Sequence, residues 1–489
     1  MSIQVIIIVI YFALTVAIGL YTLKKSKTSD SFHGAQLGVA AIVCASAGEW
    51  LGGTATTGVS EYGFNDGMSG SWYTIANGIG VMFLALCFAK LYRSLETVTV
   101  PGIIEHFYGV KARSVSSVVL TIVMLAVGLS QMIAAGKLGQ NLLGIEFNIA
   151  VLGFAVIFII YTLAGGMNAV ASTNVLHLFV MYGGVIIAVI AVLMLAGGPA
   201  HVSDSLAAIA AEEGKASFFN MGRIGMPKVS SWIIASLLGA CTAQAGVQPV
   251  LAAKDVPTAK FACILTAIVA APFGLFTAYL GMCARVMSNE GILFKGGVQG
   301  AENVVDAKSA LPALMMNLHP VVGGLVLAAI LAAILSTISP IILAAGTMVT
   351  KDLYQRVFKP SAPDKEILLF SRVATGIAGV ICSLAAIAFV NLTAVLDIVY
   401  SAYSLRGALF IVVLFGIYWK GASEKGACWA MVLTAIVAVG WVAVKLASGG
   451  YPLGPVITET YAAVVAAAVA TIVFSLIFPK KKDGIQKAS

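Results

Sequence analysis

Apolar residues gather into thirteen runs, at about 3–23, 35–65, 70–92, 113–143, 148–166, 172–197, 229–252, 260–286, 318–350, 367–391, 394–418, 426–446 and 458–478. Most match or exceed the roughly 20 residues an α-helix needs to cross the hydrocarbon of a bilayer. The pattern predicts an all-α polytopic membrane protein of about 13 transmembrane helices. Polar residues fall mainly between the runs, and two of those intervals, 198–228 and 287–317, are longer than most. The first contains HVSDSLAAIAAEEGK, whose apolar spacing is helical; it fits either a lid across the outer mouth or a connector.

Charge orients the bundle. Of the 29 Lys and Arg residues, twenty fall in one set of alternate loops, six in the other, and Lys137, Arg406 and Lys445 lie within runs. Cytoplasmic loops collect basic residues, so the N-terminus is expected outside and the C-terminus in the cytoplasm. The first run has no basic residue before it and is followed by Lys24, Lys25 and Lys27, which reads as a retained helix rather than a cleaved leader. The basic tail KKKDGIQK then lies where anionic lipid attracts it, with no binding role required.

Composition removes whole classes of function. The chain is 60% apolar and 10% charged, against roughly 25% charge in soluble domains, so a soluble multidomain enzyme is excluded. The net charge of +8 is dispersed among loops rather than clustered on one face, which argues against nucleic acid. The seven cysteines lie in or at the ends of apolar runs without a CxxC pair, indicating neither a disulfide framework nor zinc. No appended soluble domain or obligatory protein partner is indicated. The work is expected in or across the inner (plasma) membrane, on a small-molecule solute.

Two spans are broken by glycine. The second reads CASAGEWLGGTATTGVSEYGF, and the seventh, five crossings later and therefore antiparallel to it, reads SLLGACTAQAGVQPVLAAKD. Interrupted spans at corresponding positions of two inverted halves point to a midplane transport site, because freed backbone polar groups are tolerated only inside protein or along a watery cavity. Each alone is equally consistent with close helix packing by small residues. Glu49 lies inside the first broken span, and Arg406 about twelve residues into its own helix. Intramembrane charges are costly and need partners. Either the two pair with each other, or Arg406 caps broken backbone, or one of them meets solute or ion. In span nine, LAAILSTISP places Ser336, Thr337 and Ser339 within one turn before Pro340, hard oxygens suited to a weakly held alkali cation. Hydroxyls in membrane helices also commonly bond back to their own helix.

Longer motifs carry a resemblance. YTLAGGMNAVASTNVLHLFVMYGG (Tyr161 to Gly184) resembles the signature of the sodium/solute symporter family, and ILAAILSTISPIILAAGTMVTKDLY (Ile330 to Tyr354) resembles that family's sodium-site helix. TVTVPGIIEHFYG, ALPALMMNLHP and FGIYWKGASEKGA match in the right order, so the resemblance spans nearly the whole chain. It implies a LeuT-like fold of two inverted five-helix repeats, at about 31–197 and 229–418. An extra N-terminal helix would occupy 1–30, outer loops 198–228 and 287–317, and two C-terminal helices with the basic tail 419–489. It implies a Na+ site made of the carbonyls of Ala47, Trp50 and Ala333 and the hydroxyls of Ser336 and Thr337. Glu49 stands where the family's proline carriers have an aspartate. Implied solute-facing positions are Glu49, Thr54, Gln131, Ser236, Ala240, Gln244, Tyr400, Tyr403 and Arg406.

Three departures from the family pattern bear on stoichiometry and solute. Asn174 replaces an acidic residue and Pro340 the second member of a serine pair, each removing oxygen or charge from a second sodium site, so one sodium per cycle is expected. Pro249 stands where members often have an arginine. Arg406 can meet a carboxylate through paired N–H groups, which favours a small carboxylate-bearing solute (an amino acid or organic acid). The alternative is a proton-coupled or uncoupled carrier or channel for a neutral solute (sugar, urea or vitamin), with Glu49 or His177, each inside a span, as the titratable group. An intramembrane enzyme is not expected, because no GxSxG, HExxH or comparable cluster is present.

Overall fold

The computed structural model describes residues 3–23, 37–392 and 394–480; the expected positive charges at Lys24, Lys25 and Lys27 and the tail beyond Lys480 lie outside them. Among the described residues each expected span overlaps helix, the second being interrupted at Leu51–Gly53. Nine helices among the described residues are long and apolar enough to cross a membrane, ten with the bent pair Met226–Thr242 and Gln244–Leu251. Shorter apolar helices lie at Ile3–Ile18, Val39–Trp50 and Phe147–Leu163.

In chain order, α1 (Ile3–Leu23) precedes α2 (Val39–Trp50), which stops at Leu51–Gly53 and resumes as a wide π turn, Thr54–Gly58, and α3 (Val59–Asp66). Gly67, at φ 67° and ψ −144°, turns the chain into α4 (Trp72–Phe83), a conformation that suits glycine. Then come α5 (Val100–Tyr108), α6 (Val110–Leu143) and α7 (Phe147–Leu195). The sequence predicts two spans where α7 runs, and the structure joins them through a kink at Gly166, φ 56° and ψ −152°, a region essentially closed to residues with a Cβ. The interval after it carries α8 (Gly198–Glu212), as its apolar spacing predicts.

The second half opens with α9 (Met226–Gly239) and α10 (Gln244–Leu251), bent by 42° at Ala243. It continues with α11 (Val256–Ala270), α12 (Phe273–Asn289), α13 (Ala307–Met316) and α14 (Pro320–Thr347), which ends in a π-helical extension, Met348–Phe358. Last come α15 (Asp364–Phe389), α16 (Val395–Tyr418), α17 (Glu424–Ser448) and α18 (Glu459–Ile477).

Helix α14 is buried nearly throughout and packs along α7, α6, α1 and α15, while α17 and α18 pair at the edge with their outer faces apolar and exposed. Because lipid tails are as apolar as leucine, helix contacts rest on close fit and polar links rather than on exclusion of water. The interior follows that rule. A Cβ on Gly48 would lie 2.4 Å from the Ser336 carbonyl oxygen, and one on Gly52 2.0 Å from the Thr337 hydroxyl, so glycine alone lets α2 lie this close to α14. The two broken helices touch directly, the Ser46 hydroxyl donating to the Gly246 carbonyl at 2.9 Å.

Candidate functional site

The end of α2 presents its two sides to different helices. On one side is α14. The Thr337 hydroxyl donates to the Gly48 carbonyl and, at 3.2 Å, to that of Ala333; the Ser336 hydroxyl donates to Ala333 at 2.8 Å. Ala333, Ser336 and Thr337 of the expected sodium set thus share about one turn of α14. The α2 carbonyl set against them is that of Gly48, between Ala47 and Trp50. The Ala47 carbonyl accepts the Leu51 N–H at 3.0 Å. These donors are neutral, hard oxygens, a set whose chemistry fits a weakly held alkali cation. Asn174 donates to the Ser336 carbonyl at 3.2 Å, so the amide at the family's acidic position serves here as a donor tying α7 to α14.

On the other side is α16. Arg406 Nη1 donates to Glu49 Oε1 at 2.9 Å, and neither side chain is exposed. The two deep charges therefore pair, as one of the sequence alternatives holds. The guanidinium lies 3.5 Å from the centre of the Tyr403 ring and 5.1 Å from that of Trp50, whose π faces favour a cation. Gly239 makes room for it: a Cβ there would sit 3.0 Å from Arg406 Nε. The Thr242 hydroxyl, just before the α9–α10 bend, holds the Arg406 carbonyl at 2.6 Å. One contact is not enough to commit the pair. Glu49 Oε2, Arg406 Nε and Nη2, and the Trp50 indole N–H are buried and make no hydrogen bond to protein.

The other solute-facing positions divide. Tyr403 and Tyr400 join the site. The hydroxyl of Tyr73 on α4 pairs with that of Tyr403 at 3.1 Å, while Tyr400 stacks on Trp232 at 4.3 Å and lies beside the Ser236 hydroxyl. Thr54 and Gln131 pair with each other at 2.6 Å, with Ser130 beside them, which ties the stretch after the α2 break to α6. Ser236 and Ala240 are closely covered by α4, since a Cβ on Gly80 would lie 2.3 Å from the Ser236 carbonyl oxygen. Gln244 stands apart. Its amide oxygen accepts the Val100 N–H at 2.7 Å and its NH2 donates to Val98 and Gln248, which commits it to the start of α5. His177, fully buried, bonds to the Tyr11 hydroxyl on α1 rather than facing the site.

Several participants escape a reading of the sequence alone. Tyr73 on α4 is one: its hydroxyl meets Tyr403, and nothing in a neutral polar residue within a span says which helix it faces. Each end of the molecule also carries a polar clasp. At the end expected outside, Asp397 accepts the Tyr62 hydroxyl at 2.7 Å and pairs with Lys228 at 3.1 Å. At the other, buried Asp352 receives Arg113 Nη2 at 2.6 Å and the Thr99 hydroxyl at 2.7 Å.

Known proteins resemble the chain along most of its length. The model of the sodium:solute symporter family matches residues 31–434. The high-affinity proline transporter of Bacillus subtilis (strain 168) is 24% identical over 460 residues, 90% of this chain and 92% of the relative. The osmoregulated proline transporter of the same organism is 26% identical over 482 residues, 93% of this chain and 92% of the relative. A sodium/proline symporter of Staphylococcus aureus (strain JH9) is 25% identical, over 90% of this chain and 85% of the relative. Among solved structures, a Na+-coupled sialic acid symporter in its substrate-bound outward-open state superposes with a TM-score of 0.77 at 19% identity, over 98% of this chain and 99% of that one. At that identity the likeness is one of fold.

Proposed function

The chain belongs to the sodium:solute symporter family, and from that premise we propose that it imports a small carboxylate-bearing solute with one sodium ion per cycle, by alternating access in the plasma membrane. One observation carries this reading. Consecutive residues at the end of α2 serve both sites: the Gly48 carbonyl meets Thr337 of the sodium set, and the Glu49 carboxylate meets Arg406. Ion and solute would act on the same short piece of backbone. An ion holding α2 to α14 would fix where Glu49 and Trp50 stand. By linkage, solute and ion then raise each other's affinity by the same factor.

Sodium would be held by oxygens of Ala47, Trp50, Ala333, Ser336 and Thr337, with the Gly48 carbonyl adjoining. It would supply positive charge at the helix break when bound. Arg406 offers two uncommitted N–H groups for a carboxylate, and the rings of Tyr403 and Tyr400 shape the space beside it. The named relatives transport proline, which makes L-proline a first solute to try. The single-ion stoichiometry is supported by Asn174 donating where an acidic ligand would accept, and by Pro340 replacing a hydroxyl.

The test removes the hydroxyls. Replacing Ser336 and Thr337 together by Ala should raise the sodium concentration for half-maximal uptake by about tenfold or more, from the loss of two ligands worth roughly 1 kcal/mol each. Unchanged sodium dependence in reconstituted vesicles would remove the assignment.

A further inference from the structure

Asn77, in the middle of α4, is fully buried, and neither its amide nitrogen nor its amide oxygen has a hydrogen-bond partner. Burying an unpaired amide is costly. A helix interior offers no reason to keep one unless something outside the protein's own atoms completes it. Its position says what that is. Tyr73, Asn77 and Gly80 follow each other at i, i+4 and i+7 and share a face of α4. The first reaches Tyr403 of α16 through its hydroxyl at 3.1 Å. The third packs against α9, where its Cβ would meet the Ser236 carbonyl oxygen and the Ala240 side chain. Asn77 lies between them in the chain, on the side of α4 that carries these contacts to α9 and α16, and Gly239 of the same α9 makes room for Arg406.

Resting on the carboxylate reading above, we infer that Asn77 is a solute-binding residue, its amide N–H donating to a carboxylate oxygen alongside Arg406. Most of the uncommitted groups are donors, and the Ser236 and Tyr400 hydroxyls can act either way. Arg406 Nε and Nη2, the Trp50 indole and the Asn77 NH2 are donors, against the Glu49 Oε2 and Asn77 Oδ1 acceptors. A site with surplus donors is completed by an anion. One amide N–H aimed at a carboxylate also adds geometric selection that a guanidinium alone lacks, since it fixes the roll of the carboxylate plane about the Arg406 axis.

The experiment is equilibrium binding to the full-length protein in sodium, using L-proline, L-alanine and L-lactate, each beside its carboxamide. Asn77→Ala is expected to weaken the carboxylates by roughly 10- to 100-fold, the range of a charge-assisted bond. The carboxamides should bind weakly to parent and variant alike, and sodium affinity without solute should be unchanged. Asn77→Asp, equal in size but without the N–H, should bind the carboxylates no better than Asn77→Ala, and it keeps the test alive should the alanine variant fold poorly. Carboxylate binding equal to the parent in either variant overturns the role of Asn77 while leaving the carboxylate reading intact, as a site filled by water alone would give. Parent protein that binds no carboxylate of the three, or binds the carboxamides as well, overturns both.

Discussion

The pair of Glu49 and Arg406 dominates the interior at the scale of single residues. Two charges without exposed surface, 2.9 Å apart, gain a strong mutual attraction but lose their hydration, so their net worth is small while the loss of either partner is costly. Glu49→Gln or Arg406→Gln is therefore expected to destabilise the protein by about 3–5 kcal/mol. The double substitution should cost clearly less than the sum, and thermal unfolding of the three variants in one detergent measures it; additive losses would show that the residues do not act as a pair. The sequence made both charges visible because a charge in an apolar run is conspicuous, and pairing was one of the alternatives it left open. Asn77 and Tyr73 were harder to see, since neutral polar residues in a span carry no sign of which neighbour they face. Gln244 lay beside the expected break, but its amide turns to the start of α5, a contact between segments far apart in the chain.

At the scale of elements, glycine decides where helices approach. A Cβ on Gly52 would overlap the Thr337 hydroxyl at 2.0 Å and crowd Gln131 Oε1 at 2.7 Å, so Gly52→Ala must push α2 away from α14 or α6. Overpacking of this kind costs about 1–3 kcal/mol. Because the displaced segment ends in the Gly48 carbonyl and Glu49, sodium dependence of uptake should weaken together with solute affinity. A variant with normal values of both would show that the close approach of α2 and α14 does not matter to either site. The helices themselves were legible, because runs of apolar residues long enough for a bilayer leave little choice of structure. Their irregularities were partly so. Glycine clusters announced the interruptions at Leu51–Gly53 and Ala243, but the π-helical stretches at Thr54–Gly58 and Met348–Phe358 leave no comparable mark, since one extra residue per turn shifts the apolar face without changing composition.

The whole molecule is expected to place twenty basic residues on the cytoplasmic side against six outside, a bias that fixes orientation wherever loops are short. In a background without native cysteines, Gly450→Cys should react with an impermeant maleimide added outside intact cells, and Lys420→Cys only after permeabilisation; the reverse would invert the topology. The hydropathy pattern predicts thirteen crossings and the family resemblance implies two inverted repeats; among the described residues, nine helices, ten with the bent pair, are long and apolar enough to span. Fold class was open to sequence because hydropathy is a one-dimensional property, whereas the polar clasps at the two ends, Tyr62 with Asp397 and Arg113 with Asp352, depend on how distant helices meet. Coupling belongs to this scale too, since it joins sites on α14 and α16 through the end of α2. Thermal stabilisation of the purified protein by L-proline, L-alanine, L-lactate, pyruvate, D-glucose and urea, each in sodium and in potassium, measures it most directly. Stabilisation by one or more of the carboxylates in sodium, absent in potassium and absent for the neutral compounds, is the predicted result. Equal stabilisation in the two cations would contradict sodium coupling and favour a proton-coupled or uncoupled carrier instead.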